Sequence, residues 1–73
     1  MPVEDRAQLF EQLRDLVSRV ESSRVSIKDF REIRKTVESL GYDDDAKIIG
    51  LCYAEGRVTN AIAAARNVLS YEN

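Results

Sequence analysis

Six consecutive residues, Leu40-Gly41-Tyr42-Asp43-Asp44-Asp45, predict that one helix ends and the next begins at a single sharp corner. A glycine at the second position can adopt the left-handed backbone conformation that stops a helix. The three aspartates can cap the free amides of the following helix and favour the positive end of its dipole. An aliphatic side chain, Leu40, and an aromatic one, Tyr42, lie beside this corner, which makes it a candidate site for binding a partner.

Two amphipathic helices are predicted before this corner. The first, over residues 3–21, carries large apolar residues at three- and four-residue steps: Leu9, Phe10, Leu13, Leu16, Val17 and Val20. The second, over residues 27–40, begins after the capping residue Ser26 and places four apolar residues on one face: Phe30, Ile33, Val37 and Leu40. Residues 22–25 break the pattern, so we expect a short linker there.

Two further helices are predicted after the corner. The third runs from the aspartates to Gly56 and is apolar nearly all round, so we expect it to be the most buried helix. The fourth begins near Val58 and ends at about Ser70, with small alanines that allow close packing. Since no segment alternates with a period of two, the prediction is one all-α domain over residues 1–73, a small helical bundle.

The composition narrows the possible function classes. A chain of 73 residues buries only about 60% of its unfolded surface, which leaves little room for a deep substrate cavity. Its 11 basic and 13 acidic residues give a net charge of −2, so nucleic acid is not an expected partner. The chain has no histidine and one cysteine, so it lacks the commonest general base of a catalytic triad and the commonest ligands of a zinc site. We expect no enzyme activity, no cofactor and no metal.

Several short patterns have an ordinary structural explanation. Asp43–Asp45 lack the alternating ligands of a calcium loop, so we expect them to serve the helix start. Cys52 lacks a histidine partner, so we expect a reduced core thiol. The basic residues Arg24, Lys28, Arg31 and Lys35 follow one helix side and could meet phosphates or an acidic protein groove, although a solvated face is the favoured interpretation. Without an apolar run long enough for a membrane span, we expect a cytoplasmic or nuclear protein.

The last three helices resemble a ubiquitin-associated domain, or its CUE-type relatives, in their order and spacing. Leu40-Gly41-Tyr42 stands where the family carries Met-Gly-Phe or Met-Gly-Tyr, and the interval from there to Val58 needs no gap. Further matches lie in the middle helix and at the start of the last one: Ile48, Leu51, Gly56, Ala61 and Ile62. The resemblance covers residues 27–70. Where many members carry two leucines in the last helix, this chain has Ala65-Arg66, and Val68-Leu69 follow three residues later.

The resemblance implies a non-catalytic module that binds ubiquitin or a ubiquitin-like protein through the glycine loop and the last helix. Carried over to this sequence, the implied protein-binding residues are Leu40, Gly41, Tyr42, Ala65, Val68 and Leu69. The same residues could instead be a helix stop and ordinary core. An interface of this small size would be weak and transient.

An alternative hypothesis keeps the fold and changes the partner. In it, the chain is an adaptor or oligomerisation domain that binds a different protein through the first helix or the altered last helix. The first helix has a wide apolar stripe, so it either packs across the three-helix unit as a fourth helix or pairs with another copy to form a homo-oligomer. Packing within the chain is the favoured interpretation.

Overall fold

The computed structural model describes residues 5–22 and 26–72, which form four α-helices. These are α1 (Arg6–Ser22), α2 (Ile27–Ser39), α3 (Asp43–Ala54) and α4 (Val58–Leu69), followed by a short 3-10 helix, Ser70–Glu72. The predicted all-α bundle is confirmed. The predicted first two residues of helix one, residues 3 and 4, and most of the predicted linker, residues 23–25, lie outside the described residues.

The helix ends follow from the residues found there. The hydroxyl of Ser26 accepts a hydrogen bond from the Asp29 amide at 3.2 Å, which caps α2 as predicted. Gly41 adopts a φ of +96°, which lets the Tyr42 amide donate back to the Val37 carbonyl at 3.2 Å and ends the helix. The aspartates lie in the first turn of α3 and complement its dipole, while the cap position belongs to a tyrosine whose side chain makes no capping bond.

The first helix is a full member of the bundle. It packs mainly against α2 and α4, and α3 packs against the same two helices. All six apolar residues of its predicted stripe are at most 5% exposed: Leu9, Phe10, Leu13, Leu16, Val17 and Val20. The prediction that this helix packs within the chain is therefore confirmed.

The prediction that the third helix is the most buried one is wrong. Only Ala46 and Ile49 of α3 are buried, whereas the side chains of Ile48 and Leu51 are 49% and 63% exposed. The physical reason is that α2 and α4 cover one side of α3, and residues 5–22 and 26–72, which the structure describes, supply no further helix to cover the other. Cys52 is half-buried rather than fully enclosed. Within the described ranges, no helix is long and apolar enough to cross a membrane.

Candidate protein-interaction site

The Gly41 corner, which we define as Leu40, Gly41 and Tyr42, is held by the first residue of α1. The guanidinium of Arg6 donates one hydrogen bond to the Leu40 carbonyl and another to the Tyr42 hydroxyl, both at 2.7 Å. Its central carbon also lies 5.5 Å from the centre of the Tyr42 ring and 5.7 Å from that of Phe10. These distances allow cation–π attraction to both rings. The start of α1 therefore lies over the corner and restrains it.

The 3-10 helix that follows α4 reaches the same corner through Tyr71. The ring of Tyr71 meets the Tyr42 ring edge-on, with centroids 4.9 Å apart. Its hydroxyl accepts a hydrogen bond from Asn67 at 3.1 Å and lies 3.5 Å from a carboxylate oxygen of Asp45, to which it donates. Desolvation and the negative charge of Asp45 raise the pKa of Tyr71 above its ordinary value of 10.0. The corner, the start of α3 and the 3-10 helix after α4 thus form one surface, which carries the two tyrosines.

The six residues that the resemblance implied divide into two groups. Three of them are buried at 3% exposure or less and belong to the core: Leu40, Ala65 and Val68. The other three reach the surface, with Gly41 exposed and both Tyr42 and Leu69 half-buried. The buried group is not accessible to a partner, whereas the second group is at least partly exposed.

Two residues of this surface were missed by the sequence analysis. Arg6 is separated from Leu40 by 34 positions, so no local pattern connects them. Tyr71 follows the last residue of the α4 stripe and therefore had no periodic signal. An arginine at the start of an apolar stripe and an aromatic just past the end of another are weak hints at best.

A second surface, also missed, lies between α2 and α3. We call it the α2–α3 groove and define it by three exposed apolar residues, Ile27, Ile48 and Leu51, and three basic ones, Arg31, Arg34 and Lys47. It consists of two adjoining hollows of about 480 and 210 Å³. The available signal was the apolar character of α3 on all sides, which we interpreted as burial.

The described residues contain no group of three or more histidine, cysteine, aspartate or glutamate residues that could hold a metal ion. Every buried side-chain nitrogen or oxygen in the described ranges has a hydrogen-bond partner. The same residues form two surfaces that a partner could contact, the Gly41 corner and the α2–α3 groove.

Comparison with protein-family models, with curated proteins and with solved structures gave no match. The likeness to ubiquitin-associated domains therefore rests on the residues quoted above and on their spacing.

Proposed function

We propose that this chain is a non-catalytic protein-interaction module. The observation that supports the proposal best is that large apolar side chains of α3 are exposed, whereas the apolar face of α1 is buried inside the bundle. Ile48 and Leu51 are 49% and 63% exposed and line one hollow, and Ile27, at 54%, lines the adjoining one. Clustered apolar side chains on a small protein are typical of surfaces that another protein covers.

We further propose the cytosol or nucleus as the compartment of this protein, in keeping with its free cysteine.

The first candidate partner is ubiquitin or a ubiquitin-like protein, bound at the Gly41 corner. In support, the Tyr42–Tyr71 contact joins the corner to the 3-10 helix that directly follows α4. No heavy atom lies within 4 Å of the place where a Cβ would stand on Gly41, so a partner backbone can approach closely. With Leu69 half-buried beside the core, the apolar area on offer is small, and we expect a weak complex.

An NMR titration of the labelled full chain with ubiquitin tests this candidate. We expect amide shifts centred on Gly41, Tyr42 and Leu69, with smaller shifts at the neighbouring Tyr71. The matched control is a ubiquitin whose Leu-, Ile- and Val-lined face carries an alanine in place of its isoleucine, and it should shift these resonances much less. Unchanged spectra up to millimolar ubiquitin would remove ubiquitin as the partner and favour the second candidate.

The second candidate is an adaptor that binds a different protein. Its support is that α1 and α3 differ in which apolar residues they expose. A partner of α1 would meet mostly polar residues, because all six large apolar residues of α1 are buried. Ion pairs between Glu21 and Arg66 and between Arg14 and Glu72 also join α1 to α4 and the residues after it. A homo-oligomer through α1 would have to open the bundle. For an adaptor, we therefore propose α3 as the contact element.

A further inference from the structure

We propose that the α2–α3 groove binds an acidic amphipathic helix of another protein. This inference rests on the proposed role as a protein-interaction module, but it does not depend on ubiquitin as the partner. It follows from three properties of the groove, namely its apolar floor, the sign of its charge and its shape.

The floor of the groove is apolar and firmly supported. Phe30 and Ile49, at 3% and 0% exposure, lie beneath it. The Tyr53 ring stacks on the Phe30 ring with centroids 4.5 Å apart and lines the same hollow. Because these side chains are packed into the core or against it, the groove is preformed, and a partner would not have to order it on binding.

The charge of the groove is positive in a chain whose net charge is −2. Among the described residues that line the two hollows, Arg31, Arg34 and Lys47 are basic and none is acidic. Arg34 pairs with Glu38 at 4.0 Å, but both side chains are at least half exposed, so the pair is weak. Carboxylates on a partner would therefore meet a complementary potential on both helices of the groove.

The same charges argue against a second copy of this chain as the occupant. A twofold dimer places the same surface patch of both copies face to face. In such a dimer the arginines and the lysine of one groove would face those of the other, and like charges across an interface repel. A partner that carries its own acidic residues avoids this repulsion.

The shape of the groove allows a helix to lie across it. The two hollows share Arg34, Gly50 and Ala54 and cover overlapping stretches of α3, residues 47–54 and 49–54, so they lie side by side across that helix. The Arg34 side chain lies 3.3 Å from the place where a Cβ would stand on Gly50, so it passes between the two hollows. Apolar side chains of a partner helix that crosses α3 could enter the two hollows, with acidic neighbours reaching the basic residues.

The test uses the full chain and a fluorescent helical peptide of about 15 residues, with leucines at i, i+4 and i+7 and glutamates beside them. The control peptide has lysines in place of the glutamates. We expect the glutamate peptide to bind roughly tenfold more tightly and to shift the resonances of Ile27, Ile48 and Leu51. Equal binding of the two peptides, or shifts centred elsewhere, would overturn the proposal.

Variants locate the contact. Leu51→Asp changes a side chain that is 63% exposed, so the fold should persist while binding of the glutamate peptide is lost. The double variant Arg31→Glu/Lys47→Glu should prefer the lysine peptide. Lys35→Glu is the matched control, because Lys35 lies on α2 but lines a different hollow, next to Leu9 of α1. Circular dichroism checks each variant for folding. An effect of Lys35→Glu as large as that of the double variant would contradict the proposal.

Other ligands provide outcomes that separate this inference from the proposed function. If anionic vesicles or a mixed oligonucleotide shift the groove resonances more strongly than the glutamate peptide does, the inference is wrong. If ubiquitin shifts the Gly41 corner while the glutamate peptide leaves the groove unchanged, the inference fails and the proposed function stands. If the peptide binds the groove while ubiquitin has no effect, ubiquitin fails as the partner and the inference stands.

Discussion

At the scale of single residues, the Gly41 corner depends on contacts from distant parts of the chain. Arg6 reaches across 34 and 36 positions to bond with Leu40 and Tyr42. The conformation of the glycine itself was predictable, because a helix that stops at such a residue requires a positive φ. Whether Ala65 and Val68 lie in the core or meet a partner was left open, since the answer depends on which helix covers α4, and residue type alone does not decide that.

Replacing Arg6 tests how firmly the corner is held. Arg6→Ala removes two charge-assisted hydrogen bonds, and one of them satisfies a carbonyl at a partly buried position. We expect the free energy of unfolding to fall by about 1–2 kcal/mol, measured by urea denaturation and circular dichroism. Arg6→Lys keeps the charge but not the forked geometry, so it should recover only part of the loss. If Arg6→Ala unfolds at the same urea concentration as the original chain, the bonds contribute nothing to stability.

At the scale of elements, the sequence predicted the burial of α1 correctly and that of α3 wrongly. The 3.6-residue period of α1 predicted its buried face correctly, because a single apolar stripe has only one favourable orientation. The apolar character of α3 on all sides gave no such orientation. Its burial therefore depended on its neighbours, and α2 and α4 cover only the side that carries Ala46 and Ile49.

Removing residues 1–22 tests whether α1 is part of the folding unit. Six buried apolar side chains would be lost from the core, at about 1.5–3 kcal/mol each, which together is comparable with the whole stability of a small domain. We expect the truncated chain to lose its cooperative thermal transition, measured by circular dichroism. Glu11→Ala, on the exposed side of α1, is the control and should change the stability by less than about 0.5 kcal/mol. A truncated chain that melts like the full one would show that the other three helices fold without α1.

At the scale of the whole molecule, small size accounts for the kind of function that we propose. The described residues span 36 × 24 × 23 Å, with a radius of gyration of 11.4 Å, and their core is filled by the apolar faces of four helices. A bundle of these dimensions leaves little room for an enclosed substrate cavity, which agrees with the surface contacts that we propose. The distribution of charge supports the same view, since the α2–α3 groove is basic while the chain as a whole is acidic.

The exposure of the α3 face is the central claim, and NMR relaxation of methyl groups by a soluble gadolinium chelate measures it directly. We predict strong relaxation of the Ile48 and Leu51 methyls in the free, full-length chain, in line with their 49% and 63% exposure. Ile49, the neighbour of Ile48 in sequence, is fully buried and is the internal control, together with Ile33. If the methyls of Ile48 and Leu51 are as well protected as those of Ile49, the apolar face is already covered and the account is contradicted.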